Sequence, residues 1–171
     1  EIFPDYSDAL NNLGTHYHRS GQYQLAIQQF VKATELDPEL YAGWVNLGGS
    51  LMAIAEFGQA LEAFKKAFHL RPNDPLVNSQ LAIDYFYLHD YAEAKKYFKK
   101  VLELDPVAAN SPQLFLAHIA LSEKNEPEAE GYIRSFLALH PNSPHAPRLR
   151  STLETLASKS QSSSSLGQAQ P

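Results

Sequence analysis

From Glu35 to Gly48 the chain reads ELDPELYAGWVNLG, and this stretch decides the fold because its landmarks return at a fixed distance. Pro38 has counterparts at Pro4, Pro72 and Pro106, each 34 residues from the next, and Pro141 follows after 35. Trp44 aligns with Leu10, Asn78 and Gln113, Leu47 with Leu13, Leu81 and Leu116, and Gly48 with Gly14, Ala82 and Ala117. Further along, Ala26, Ala60, Ala94 and Ala129 fall in register, as do Phe30, Phe64, Phe98 and Ile133. A period of about 34 residues is what stacked helix–turn–helix units produce. Within a unit, Leu10, Leu13 and Tyr17 recur at the three- and four-residue steps of an amphipathic helix.

The pattern predicts helix pairs at about 6–20 and 22–34, 41–54 and 57–70, 75–88 and 91–103, and 111–122 and 126–138. The small residues at 14, 48, 82 and 117 let the second helix of each pair come close, with the aligned alanines as its contact points. Asp74 before Pro75, Asp90 three residues before Glu93, and Asn125 three before Glu128 read as N-caps. Ala146, Leu149, Leu153, Leu156 and Ala157 give a ninth, one-sided helix suited to closing the end of a stack.

These landmarks resemble the tetratricopeptide repeat, W-x₂-L-G-x₂-Y followed by A-x₃-F and P, most closely at Trp44-x₂-Leu47-Gly48 and Leu10-x₂-Leu13-Gly14-x₂-Tyr17. The resemblance runs from about residue 1 to 141 and implies an all-α, right-handed α-solenoid of antiparallel helix pairs with a C-terminal capping helix. The expected divisions are 1–4 as the stub of a preceding repeat, then repeats at 5–40, 41–74, 75–109 and a divergent 110–143. The capping helix follows at 144–159 and a disordered serine-rich tail at 160–171. The register of residues 1–4 suggests a parent chain that continues upstream, with a processed terminus as the competing reading.

The resemblance also implies that the first helix of each pair lines a groove for a protein or peptide partner. Residues placed there are Asn11, Asn12, Thr15, Asn46, Met52, Gln80, Ile83, Phe86, Tyr87, Phe115 and His118. Asn12, Asn46 and Gln80 are aligned and look like the asparagine ladder of O-linked N-acetylglucosamine transferases, since a carboxamide can both donate to and accept from a peptide backbone. A solvated helix face is equally open to them. Phe86, Tyr87 and Phe115, with Leu76, Ile83, Leu114 and Leu121, suggest an apolar patch over the third and fourth units. The carboxylate clamp of chaperone-binding relatives is not expected: its places carry Asn11, Thr15, Asn46, Leu76 and Gln80, with no cation among them.

Composition narrows the remaining classes. A net charge of −5 argues against nucleic acid. The absence of cysteine excludes disulfides and thiolate metal sites, and no apolar run approaches membrane-spanning length. His16 and His18 are two apart, so they leave a helix on different sides and do not form a metal pair. Lys95, Lys96, Lys99 and Lys100 form a basic stretch that reads as a solvated outer face. No nucleophile, phosphate loop or zinc motif is present, so no catalysis and no cofactor are expected. The expectation is a non-catalytic adaptor; the alternatives are a recruiting arm of a larger enzyme, and self-association through the apolar units.

Overall fold

A computed structural model describes residues 4–108 and 111–167, with side chains for 6–108 and 111–159. Among the described residues all regular structure is helical: α1 (Pro4–Arg19), α2 (Tyr23–Leu36), α3 (Tyr41–Ala53), α4 (Phe57–Leu70), α5 (Pro75–Tyr87), α6 (Tyr91–Leu104), α7 (Pro112–Ser122), α8 (Glu126–Leu139) and α9 (Ala146–Gly167). The eight paired helices begin and end within two residues of the expected positions. The chain separates into two compact units, 1–106 and 107–171.

The first unit holds three helix pairs, α1·α2, α3·α4 and α5·α6, each packed on the next through α2·α3 and α4·α5. Its core is built from Ala26, Phe30, Leu47, Leu51, Ala60, Phe64, Val77 and Leu81. Each buried phenylalanine contributes on the order of 1.5–3 kcal/mol through the surface it removes from water. The close approach within a pair is made over the small residue of the first helix, though by a ring rather than by the aligned alanine. A Cβ added to Gly14 would stand 2.6 Å from the Phe30 ring, and one added to Gly48 only 2.5 Å from the Phe64 ring. Leu13 departs from its aligned residues. It is 42% exposed where Leu47, Leu81 and Leu116 are buried, because among the described residues no preceding pair covers that flank of α1.

The turn inside each pair is closed by the same main-chain bonds. Gly21, Ala55, His89 and Lys124 all take positive φ, between 58° and 74°. Around Gly21, its N–H donates to the His18 carbonyl at 3.0 Å and the Gln22 N–H to the Tyr17 carbonyl at 2.9 Å. The same two bonds recur at Ala55–Glu56, His89–Asp90 and Lys124–Asn125, so every pair turns through a Schellman motif. The three expected caps also form: Asp74 accepts from the Leu76 N–H at 2.8 Å, Asp90 from Glu93 at 3.2 Å, and Asn125 from Glu128 at 3.3 Å.

In the second unit α7 and α8 pair around Ala117 and Ile133, and α9 lays Leu156 on them with Leu149 and Leu153 half-buried beside it. Lys159 Nζ reaches Glu126 Oε1 at 3.3 Å, tying α9 to the start of α8. Ala157, expected on the packed face, is exposed; the covered stripe is 146, 149, 153 and 156. The helix also continues to Gly167 through the serine run at 162–165, which the composition had assigned to the tail. Serine interrupts a helical ladder only weakly, so low complexity alone does not end one. Residues 1–3, the greater part of the expected stub, and 168–171 lie outside the described residues.

Candidate functional site

Helices α1, α3 and α5 lie in a row in the first unit, with contacts between α1 and α3 and between α3 and α5. A cleft of about 310 Å³ opens along this row, and Thr15, Arg19, Asn46, Gly49 and Gln80 line it together with His18, Phe30 and Val45. The adjacent glycines of α3 divide the work. Gly48 is held under the Phe64 ring, whereas a Cβ added to Gly49 would meet nothing within 4 Å. One glycine permits helix packing, and its neighbour faces open space.

Asn46 anchors the cleft. Its Nδ2 donates to Asn11 Oδ1 at 3.0 Å and lies 3.5 Å from Thr15 Oγ1. Thr15 in turn donates to the Asn11 carbonyl at 2.9 Å, so the three side chains are fixed by one another. The Gln80 side chain makes no hydrogen bond among the described residues, and the Arg19 side chain makes neither a hydrogen bond nor an ion pair among them. The clamp places carry no cation, but the cleft itself does, at the last residue of α1.

The remaining expected site residues scatter. Asn12 is exposed and does not line the cleft; Asn46 meets Asn11 and Thr15 instead. Met52 is half-buried against the core. Ile83 is half-buried. Tyr87 is half-exposed and stacks on Phe57 with centroids 5.0 Å apart and planes at 11°. Phe86 packs its ring on Tyr91 at 5.6 Å. In the second unit Phe115 is half-buried, and exposed His118 lines a separate pocket of about 240 Å³ with Leu114, Leu121 and residues of α9. The expected patch is therefore two local clusters, one at the α4–α5–α6 turns and one between α7 and α9.

Two buried polar groups went unnoticed in the sequence. Ser50, fully buried, lies in a 2.8 Å hydrogen bond with His18 Nδ1, joining α3 to α1. Asp84 holds the equivalent place one repeat later and is also fully buried, but neither carboxylate oxygen has a hydrogen-bond partner. Burial pushes its pKa from 3.8 up to about 7. The signal was available: Asp84 falls on the stripe of Val77 and Leu81, at i+7 and i+3, where a polar residue is out of place. The residue of α3 aligned with His18 is Met52, whose thioether has no proton to donate.

Stacked antiparallel helix pairs with an open polar cleft define a helical-repeat protein of the binding type. The chain belongs to the tetratricopeptide repeat family, whose models match residues 7–40 and 75–106. It is 31% identical over 121 residues to the anaphase-promoting complex subunit CDC16 of Saccharomyces cerevisiae, across 67% of this chain and 14% of that protein. It is 35% identical over 100 residues to a UDP-N-acetylglucosamine–peptide N-acetylglucosaminyltransferase of Giardia intestinalis, across 57% of this chain and 7% of that one. The chain thus spans a small part of both relatives. Among solved structures, MamA superposes with a TM-score of 0.80 at 16% identity, over 91% of this chain and 88% of that one. The first repeat domain of Spaghetti (RPAP3), bound to the HSP90 peptide SRMEEVD, gives 0.68 at 24% identity, over 71% and 96%. Both structures share the fold.

Proposed function

We propose that the α1–α3–α5 cleft holds an extended segment of a partner protein, gripping its main chain through Gln80 and the fixed Asn46 and pairing an acidic group of the segment with Arg19. The chain is a protein-interaction module, and in this reading it carries no chemistry of its own. The observation that supports the cleft most is the contrast of Gly49 with the side chains around it. Its Cβ position is open while Thr15, Asn46 and Gln80 surround it, so a peptide backbone has both access and donors. The Gln80 carboxamide can donate to a peptide carbonyl and accept from the next N–H. Arg19 offers a planar fork of donors that suits a carboxylate. Among the described residues no helix is long and apolar enough to cross a membrane.

The test is selection from a random library of extended dodecapeptides on the purified chain. Selected peptides are expected to carry acidic residues and to lose at least tenfold in affinity on Gly49→Leu, which fills the cleft. Leucine is a better helix former than glycine, so the variant should melt no lower than the parent. Peptides that bind Gly49→Leu as tightly as the parent, or a library that yields none, would overturn the proposal.

A further inference from the structure

We propose a second binding site, a cleft between the second and third repeats that takes an aromatic side chain from an acidic segment of a partner protein. It lies at the seat that an indole fills one repeat earlier. In the second repeat the Trp44 ring packs against the core cluster that contains Ala63, and its Nε1 donates to the Pro38 carbonyl at 2.8 Å. One period on, Asn78 stands for Trp44 and Tyr97 for Ala63. The large and small partners have exchanged places.

The exchange preserves the main-chain bond but leaves space. Asn78 Nδ2 donates to the Pro72 carbonyl at 2.9 Å and to the Asp74 carbonyl at 2.8 Å, which fixes the orientation of the carboxamide. Its Oδ1 is then buried without a hydrogen-bond partner. The Tyr97 ring does not refill the seat of the indole. It stacks on Tyr85 at 5.7 Å with planes 10° apart and meets Phe68 edge-on at 5.7 Å. A cleft of about 470 Å³ remains, lined by Phe68, Pro72, Asn78, Tyr97, Lys96 and Lys100 among others.

The chemistry of the lining selects the occupant. Phe68 and Tyr97 present ring surfaces on which another ring packs well. Lys96 and Lys100 bring ammonium groups to the rim of the cleft, in a chain whose net charge is −5, and Glu103 lines it beside them. Their present partners, Glu93 and Glu103, are exposed i, i+3 pairs that hold weakly and can yield to a partner's carboxylates.

The experiment uses the ¹⁵N-labelled chain and the peptide Ac-Glu-Asp-Trp-Glu-Asp-NH₂, with Ac-Gly-Ser-Trp-Gly-Ser-NH₂ and an alanine-for-tryptophan version as controls. Saturable shifts of the Phe68 and Asn73 backbone amides, which line the cleft, are expected with the acidic tryptophan peptide, weaker by at least tenfold with either control. Asn78→Trp/Tyr97→Ala rebuilds the second repeat's pair inside the third and should abolish those shifts while helicity by circular dichroism is kept. Lys96→Glu/Lys100→Glu, on the exposed face, should weaken binding at least tenfold without touching the core, and keeps the test decisive if the filled variant misfolds. Gly49→Leu should leave this binding intact. Shifts that persist in the filled variant, equal binding of the alanine peptide, or no shift at millimolar peptide would overturn the assignment. Shifts of these amides that follow protein concentration alone would give the cleft to a second copy of the chain, and overturn it likewise.

Discussion

The second and third repeats share a backbone and differ in what they do with it. Both turn through the same Schellman motif, both place a phenylalanine in the core, and both bond the fourth residue of their first helix to the carbonyl of the preceding proline. Yet the second repeat satisfies more of its interior: Trp44 fills its seat and Ser50 finds His18, although the buried Tyr41 hydroxyl has no hydrogen-bond partner. The third leaves its polar interior unfinished, with Asp84 unpartnered and the Asn78 oxygen unused. The frame depends on a few positions, and the residues between them are free to trade stability for surface chemistry.

The sharpest way to break the comparison is to give the third repeat the second repeat's residue. Asp84 titrates at about 7 in the fold against 3.8 as an ordinary aspartate. Below pH 3.8 it is neutral in both folded and unfolded states and costs nothing by titration. As pH rises from 4 to 7 the unfolded chain ionises and the folded one does not, so stability falls, by about 4 kcal/mol in full above pH 7. Asp84→Ser should therefore raise the urea midpoint strongly at pH 8, and the difference between variant and parent should shrink toward pH 3.5. A difference independent of pH would show that Asp84 finds solvent or a partner.

A smaller effect comes from supplying the missing donor. Met52→His sets an imidazole where His18 stands relative to Ser50, and a charge-assisted bond to Asp84 is expected to recover roughly 1.5–3 kcal/mol near neutral pH. The gain should vanish in the Asp84→Ser background, which a double-mutant cycle would measure.

The neighbouring glycines of α3 should respond with opposite signs. Gly48→Ala drives a methyl into the Phe64 ring and should cost about 1–3 kcal/mol, even though Ala82 occupies the same place in the third repeat. Gly49→Ala meets nothing and should gain up to about 1 kcal/mol. Thermal melts of the two variants would tell packing from access. Smallest of all, Ala55→Gly relieves a left-handed alanine and should gain about 1 kcal/mol or less, with Gly21→Ala losing a similar amount. His89→Gly should gain less still, because His89 Nδ1 lies in a 3.1 Å hydrogen bond with the Tyr91 hydroxyl.

The fold was legible because periodicity repeats the same evidence several times over: Pro38, Leu47, Gly48 and Phe64 each have aligned counterparts, and the caps Asp74, Asp90 and Asn125 mark helix starts by local chemistry alone. The cleft was legible in part. Asn46, Thr15 and Gln80 were singled out and do come together, but Asn12 does not join them, since alignment along the chain is not adjacency across it. Asn46 reaches residues 35 and 31 earlier rather than the aligned residue 34 back, because neighbouring helices are offset along their axes. Arg19 stands outside the positions a clamp motif names, yet it falls on the groove-lining first helix and lines the cleft. The aromatic residues misled for a different reason: Phe86 and Tyr87 find partners in Tyr91 and Phe57, at the turns between helices, where a reading confined to one helix face does not look.

The left-handed turn residues have a use as well as a cost. Gly, Ala, His and Lys all serve at 21, 55, 89 and 124 because main-chain bonds close these turns whatever the side chain. The chain contains no cysteine, so a single thiol introduced at any of these positions is unique. Positions 55 and 89 thus become evenly placed marks on a molecular ruler. A fluorophore pair attached there would register, as a change in energy transfer, the strain that a captured peptide puts on the stack.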